Sequence, residues 1–192
     1  MKTRKGKIVR QRRRVLRLRK ALIRARRVLK RLRRRSPRER ALRWAAQQVG
    51  TVESPPGSNR GGRITRWQKA LGPWLVGQPW CGVFLGAMLS HVGVPISARI
   101  ASVAAIEDDA VAGRNGLAGI REGRGRPGDL VILFGRGKHV EVIVKATKAG
   151  YQTIGGNTSA GDAGSQANGG GVYKRVRPLK DVYRVVVPAY PK

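Results

Sequence analysis

The stretch GQPWCGVFLGAMLSHVG, residues 77–93 of a chain of 192, decides how the fold is predicted. A polar turn that ends at Pro79 and Trp80 leads into the only cysteine of the chain, Cys81. The apolar residues after it recur at the spacing of a helix: Phe84, Leu85, Met88, Leu89 and Val92. The pattern predicts a buried helix that begins at Cys81 and stops at Gly93.

Helix signals precede this central helix and strand signals follow it. The segment Ser36-Pro37-Arg38-Glu39 has the pattern of a capping box and predicts a helix over 37–49. Further helices are predicted over 64–71 and 97–111. Strands are predicted over 130–134, 140–144, 151–154, 172–176 and 182–187, the first two joined by a hairpin turn at 135–138. Helices followed by antiparallel strands predict an α+β domain with the cysteine helix packed on the sheet.

The charge of the chain is concentrated near its beginning. There are 41 Lys and Arg against 10 Asp and Glu, a formal net charge of +31, and residues 1–40 hold 21 of the cations and one acid. We therefore divide the sequence into a basic arm, 1–35, and a domain, 36–192. The apolar residues of the arm are spaced three and four apart, as in a narrow helical seam: Val15, Leu18, Leu22, Ala25, Leu29 and Leu32.

Like charges four residues apart oppose a helix, so we expect the arm to be helical mainly when an anionic partner screens it. The alternative is a solvated basic tail. The possible partners are nucleic acid, an acidic membrane, lipopolysaccharide and anionic wall polymers, and composition does not choose among them. No aromatic residue precedes Trp44, which argues against base stacking by the arm.

Several classes of protein are excluded by composition. One cysteine cannot form a disulfide framework within the chain or a site built on several thiolates. The longest strongly apolar stretch, 80–89, is about half of the roughly 20 residues that a membrane-spanning helix needs. The basic N-terminal segment lacks the apolar run of a secretory signal, so we expect no general export. The carboxylates at 107–109 and Asp162 lack EF-hand spacing, so we interpret them as a charged helix end and a solvated loop and expect no metal site.

Cys81 and the two histidines are the candidates for chemistry. A helix N-terminus favours the thiolate, which is the nucleophilic form of cysteine. His91 lies about 15 Å along the same helix and cannot pair with Cys81. His139 opens the strand after the hairpin, and Asn157, at the end of the next strand, is the candidate to orient its ring. A lone cysteine in an apolar helix is more often a packing residue, but the joint pattern favours a nucleophile.

Five short motifs, in this order, resemble a known family. They are ESPPGSN at 53–59, GQPWCGVF at 77–84, PGDLV at 127–131, KHV at 138–140 and GGNT at 155–158. Together they resemble the CHAP domain, a cysteine- and histidine-dependent amidohydrolase and peptidase of bacteriophage and bacterial wall lysins, over about 37–187. The resemblance implies a papain-like α+β fold. It also implies hydrolysis of a peptidoglycan amide bond without a cofactor, as an N-acetylmuramoyl-L-alanine amidase or a peptide endopeptidase.

Carried over by position, the resemblance makes Cys81 the nucleophile, His139 the general base and later acid, and Asn157 the orienting residue. Many members of the family have Glu two positions before the matched Asn, where this chain has Gly155. Either Asn157 alone orients the imidazole, or Glu141 supplies the charge, because it lies two residues along the strand and so on the same face as His139.

The remaining expectations concern the cleft and the setting. Asn59, Trp67 and Trp80 are expected to line the cleft, Trp80 being equally a core residue, and Gln78 to help the Cys81 amide bind an oxyanion. The resemblance implies a phage-encoded protein that acts from the host cytoplasm on release or from the virion. Two other functions stay open. One is a non-catalytic protein that binds nucleic acid or another polyanion through the arm, and the other is a wall-binding or virion structural module without turnover.

Overall fold

The computed structural model describes residues 4–32, 35–161 and 164–192, so the loop carboxylate Asp162 lies outside the described residues. The chain forms two compact units, Met1–Ser36 and Pro37–Lys192. Within the described ranges, no helix combines the length and the apolar character needed to cross a membrane.

The first unit contains one helix, α1, over Arg4–Leu32. Its described apolar side chains are 45–61% exposed: Val15, Leu16, Leu18, Leu22, Ile23 and Val28. Ala25 is exposed as well, whereas the side chains of Leu29 and Leu32 lie outside the described part. The predicted apolar seam therefore faces solvent wherever it is described. The dependence of this helix on an anionic partner stays a prediction.

The second unit has, in its described residues, four α-helices and six strands. The helices are α2 (Pro37–Gln48), α3 (Gly62–Leu71), α4 (Cys81–His91) and α5 (Val103–Val111). The strands are β1 (Leu117–Ile120), β2 (Leu130–Leu133), β3 (His139–Thr147), β4 (Gly150–Thr158), β5 (Gly171–Pro178) and β6 (Val182–Pro188). They form one sheet in the order β1-β6-β2-β3-β4-β5, with every neighbouring pair antiparallel. The coarse prediction of an α+β fold is confirmed.

Helix α4 lies at the centre of the unit, in contact with α2, α3, β3 and β4. Its apolar residues Phe84, Leu85, Met88 and Leu89 are fully buried, and full burial of one such side chain contributes about 1.5–3 kcal/mol. Gly82, the second residue of the helix, approaches the segment 98–101 so closely that a Cβ would overlap the carbonyl oxygen of Ile100. This contact holds the first turn of α4 against the 98–101 segment.

Three elements differ from the sequence prediction. The helix predicted over 97–111 is interrupted: 98–101 forms a 3₁₀ turn, and α5 begins after Ser102, whose side chain accepts a hydrogen bond from the Ala105 amide. Strand β1 has no predicted counterpart because its four residues include Gly119 and show no alternation; pairing with β6 forms it. Strand β4 covers Gly150–Thr158, whereas the sequence predicts a strand over 151–154 alone.

The carboxylates at 107–109 form the charged end of α5 that the sequence predicts, and two of the three, Glu107 and Asp109, are buried in ion pairs. Three buried carboxylates are each bound by two arginines: Asp109 by Arg99 and Arg114, Glu107 by Arg136 and Arg184, and Asp129 by Arg38 and Arg121. The hydrogen bond from Arg99 is the main reason why the pKa of Asp109 falls to about 2. These acids tie helices and turns to the sheet.

Replacing Gly82 with alanine should destabilise the domain by about 1–3 kcal/mol, the usual cost of forcing an extra group into a packed site. The matched control is Gly62→Ala at the first residue of α3, where a Cβ meets nothing within 4 Å. That variant should be neutral or slightly stabilising, since alanine favours helix over glycine. Urea unfolding followed by circular dichroism measures both. Equal stability of the two variants would contradict the close approach of α4 to 98–101.

Candidate active site

Cys81 is the first residue of α4 and its side chain is almost fully buried. The backbone amides of a first helical turn have no acceptor within the helix, and with the helix dipole they favour a thiolate at this position. Trp80, the residue before Cys81, is bound by a residue of the sheet: its N–H donates to Oδ1 of Asn157 at 2.7 Å. The start of the helix is therefore held against the end of β4.

His139, the first residue of β3, is fully buried beside Cys81. Its Nε2 lies 3.2 Å from Oε1 of Glu141. Its Nδ1 is buried without a hydrogen-bond partner among the described residues, so this nitrogen is available for proton exchange with a group beside the ring. Thiol–imidazole contacts are often loose before substrate binds and tighten in the complex.

The protonation of His139 follows from these neighbours. Burial lowers the pKa of the imidazole, but the neighbouring Cys81 and Glu141 outweigh burial and raise the pKa from its ordinary value near 6.5 to about 9. The raised pKa favours the imidazolium at neutral pH. A protonated imidazole beside a thiol is the arrangement that activates a cysteine nucleophile.

Glu141 is hydrogen-bonded to the imidazole and also accepts hydrogen bonds from two other side chains. Arg177 donates through Nε to Oε2 at 3.0 Å and through Nη2 to Oε1, and the Thr153 hydroxyl donates to Oε2. All three side chains are buried. Burial raises the pKa of Glu141, but His139 and Arg177 outweigh it and lower the pKa to about 2. The carboxylate is therefore ionised at any pH at which the protein would act.

Gly155 has a steric role in this arrangement. It lies on β4, next to β3, and a Cβ there would come within 2.7 Å of both Cγ and Oε1 of Glu141. The Glu141 side chain thus occupies the space that a side chain at 155 would need. The glycine at 155 has a physical reason here. The carboxylate that reaches the imidazole comes from Glu141 on β3, and a side chain at 155 on β4 would collide with it.

Asn157 does not orient the imidazole, which corrects the prediction made from its position. Its Oδ1 accepts from Trp80, and its Nδ2 donates to the Gly169 carbonyl at 2.8 Å, to Asn168 Oδ1 at 3.1 Å and to Asn59 Oδ1 at 3.4 Å. Its polar atoms are therefore engaged away from His139. Asn157 instead joins Trp80, the residue before Cys81, to the loop that contains Asn168 and Gly169.

The predicted cleft residues separate into two groups. Trp80 is fully buried and its Nε1 donates to Oε1 of Glu53 at 2.9 Å, so the assignment of Trp80 to substrate binding is wrong. Trp67 is half-buried and packs on Trp44, Trp80 and Phe84. Asn59 is half-buried beside Asn157, and Gln78 is exposed. These last two keep their place as candidates for contact with substrate.

Three residues of this region carry no signal in the sequence that singles them out. Arg177 is one of three basic residues along β5, and nothing in that pattern tells which of them is buried. Thr153 reads as an ordinary strand residue. Gln68 of α3 donates through Nε2 to the carbonyl oxygens of Asn59 and Gln78, at 3.0 and 3.1 Å, and so joins the two loops beside the site.

The reaction of Cys81 with iodoacetate as pH changes tests the assignment of Glu141. Only the thiolate reacts, and the imidazolium attracts the anionic reagent, so the rate should fall as pH rises through about 9, where His139 loses its proton. In Glu141→Gln this fall should move to lower pH by about one unit, the size of effect that one neighbouring charge produces.

The control is Glu122→Gln, which removes an exposed carboxylate and should leave the profile unchanged. Because the chain has one cysteine, the label reports on Cys81 alone. A profile in Glu141→Gln that coincides with that of the unmodified chain would contradict the assignment.

The sequence matches no family model, no curated protein and no solved structure. The interpretation of the site therefore depends on the contacts of Cys81, His139 and Glu141, and on the motifs around them.

Proposed function

We propose that the Pro37–Lys192 unit is a cysteine amidohydrolase that cuts an amide bond of bacterial peptidoglycan. One observation carries the proposal: Cys81 at the start of α4 lies beside His139, and His139 is bound by the buried carboxylate of Glu141. A nucleophile, a base and a group that orients the base are the parts that acyl transfer by cysteine requires. A cysteine that only filled space would need neither partner.

The first step uses the ion pair of the Cys81 thiolate and the His139 imidazolium. The imidazolium of His139 and the N-terminus of α4 favour the Cys81 thiolate, which attacks the carbonyl carbon of the amide. The carbonyl oxygen becomes an oxyanion. The Cys81 N–H belongs to the first turn of α4 and can donate to it. The side chain of Gln78, exposed three residues earlier, is the second candidate donor.

The second half of the reaction returns the proton. His139 protonates the leaving nitrogen as the C–N bond breaks, which leaves an acyl thioester on Cys81 and a neutral imidazole. The imidazole then takes a proton from water, the hydroxide attacks the thioester, and the C–S bond breaks to give the carboxylic acid and the thiolate. Glu141 stays ionised throughout and accepts the hydrogen bond of Nε2, so that Nδ1 is the nitrogen that exchanges protons.

Peptidoglycan is proposed as the substrate because the motifs around these residues resemble the CHAP domain. With that substrate we propose the papain-like arrangement, in which a helix that starts with cysteine packs on a sheet whose strand carries the histidine. The bond is the N-acetylmuramoyl-L-alanine amide or a peptide bond of the stem or cross-bridge. The proposal includes a phage lysin that reaches the wall from the host cytoplasm at lysis or from the virion at entry.

Clearing of purified cell walls separates the roles of the two histidines. His139→Gln should lose roughly 10²- to 10⁴-fold in rate, the usual contribution of a general acid–base group. His91→Gln changes the exposed histidine at the end of α4 and should clear walls at the normal rate. Equal loss in the two variants would show that the effect is structural.

Cys81→Ser should have no measurable turnover while its circular dichroism stays unchanged, because the hydroxyl is a much weaker nucleophile at this site. Mass spectrometry of the wall digest made by the unmodified chain identifies the bond: a new N-terminal alanine indicates an amidase, and any other new amine indicates an endopeptidase. Full clearing by Cys81→Ser would refute the proposal. Absence of turnover in the unmodified chain would favour a wall-binding or virion structural module.

We also propose that α1 holds the protein on an anionic surface. Over 11–26, where its side chains are described, exposed arginines surround the exposed apolar residues of α1, among them Arg12, Arg13, Arg17 and Arg24. Wall polymers, lipopolysaccharide, a membrane surface and nucleic acid are the candidate partners. The same feature supports the alternative function, a non-catalytic polyanion-binding protein, should turnover be absent.

Binding of the Cys81→Ser chain to intact walls should weaken steeply as salt is added, because salt screens exposed charges. Changing Arg12, Arg13, Arg17 and Arg24 together to Gln should weaken binding at low salt and flatten its salt dependence. The same four positions changed to Lys keep the charge and serve as the control. Binding that is equal at low and high salt would contradict an electrostatic role for α1.

A further inference from the structure

Phe134 begins the turn between β2 and β3 and has a backbone conformation that large side chains rarely adopt. Its φ is 64°, in the left-handed region. The other non-glycine residues with positive φ in the described chain are all asparagines, Asn59, Asn115 and Asn157, the type that tolerates this region best. An aromatic residue in such a conformation persists only when its surroundings require it.

The turn that carries Phe134 is anchored at two points. The Phe134 N–H donates to the Asp181 carbonyl at 2.9 Å. Two residues later, Arg136 forms ion pairs with Glu107 and Asp108 of α5. The backbone of the turn is therefore held from the segment before β6 and from a helix, and the direction of the Phe134 ring is fixed by the fold.

The ring of Phe134 stacks on the imidazole of His139, with centroids 6.4 Å apart and planes 27° from parallel. The guanidinium carbon of Arg177 lies 5.6 Å from the centroid of the same ring. Arg177 also binds Glu141, and Glu141 binds His139. Each of four side chains thus contacts the next, and the last contacts the first: His139, Glu141, Arg177 and Phe134.

We propose that Phe134 is a positioning residue for His139: its ring packs against the imidazole in an offset stack, while Glu141 binds Nε2. Arg177 supports both, since it binds the carboxylate and lies over the aromatic ring. The inference rests on the proposed function and names a residue that the motifs do not include. Phe134 is 38% exposed, so its ring forms part of the boundary between the imidazole and solvent.

The stacked ring should restrict rotation of the imidazole about its bonds, which keeps Nδ1 directed at the thiol while the proton is transferred. This effect depends on the aromatic ring and not on the strained backbone.

The test uses the full chain and separates ring from backbone. Phe134→Leu keeps an apolar side chain without the aromatic face, Phe134→Asn suits the backbone conformation and removes the ring, and Phe134→Tyr keeps the ring. Tyr183→Leu is the matched control, because Tyr183 is 40% exposed and has the guanidinium carbon of Arg184 at 5.6 Å from its ring. The readouts are the pH profile of Cys81 carboxymethylation by iodoacetate and the kcat of wall hydrolysis.

In Phe134→Leu and Phe134→Asn the iodoacetate profile should shift to lower rates below pH 9, because an imidazolium that is held less firmly favours the thiolate less. Their kcat should fall roughly tenfold, as expected when a reacting group loses its orientation. Phe134→Tyr and Tyr183→Leu should match the unmodified chain. Phe134→Asn is expected to fold at least as stably as the unmodified chain, since it relieves the strained φ.

Normal profiles and normal kcat in both Phe134→Leu and Phe134→Asn would overturn the role of Phe134. So would an equal shift in Tyr183→Leu. The carboxymethylation profile needs no substrate, so the two proposals fail separately: an unmodified chain without a fall near pH 9 removes the proposed active site, whereas a normal fall that is insensitive to Phe134 removes only this inference.

Discussion

The hydrogen bond between His139 and Glu141 is the interaction on which the rest of the site depends. A buried carboxylate is costly unless charges and hydrogen bonds compensate it. Here the compensation comes from the imidazolium of His139, the guanidinium of Arg177 and the hydroxyl of Thr153. Loss of either cation changes the balance of charge around the buried carboxylate, and loss of the hydroxyl leaves a carboxylate oxygen with one hydrogen bond fewer. The protonation of His139, and with it the activation of Cys81, is thus a property of the whole cluster.

The order of the strands explains how the cluster is assembled. His139 and Glu141 lie on β3, Thr153 and Gly155 on β4, and Arg177 on β5. Since β4 lies between β3 and β5, the guanidinium must cross β4 to reach the carboxylate. Gly155 leaves the space that Glu141 fills. The sheet therefore supplies the charged groups around His139, and α4 supplies Cys81.

The sequence predicted the elements and failed on the directions of individual side chains. Helix α4, its start at Cys81 and the place of His139 at the beginning of a strand follow from apolar spacing and turn signals, because both depend on local sequence. The partner of the imidazole does not follow. Asn157 has a φ of 59° at an irregular end of β4, so alternation along the strand does not tell where its side chain points.

The sequence also did not reveal that Trp80 and Arg177 are buried. A tryptophan beside a nucleophile suggests a cleft, but its indole N–H is satisfied by Glu53 inside the domain. An arginine on a strand is usually exposed to solvent. Arg177 is instead buried, because it is paired with Glu141 from a strand two positions away in the sheet. Both outcomes depend on contacts between distant parts of the chain, which no single sequence reveals.

Nitrogen-15 NMR of the two histidine rings tests the central claim most directly, because it observes the protonation of His139 without substrate or reagent. The account predicts that at pH 7 both ring nitrogens of His139 carry protons and that the ring titrates near pH 9. A neutral His139 ring at pH 7, with one protonated nitrogen, would contradict it.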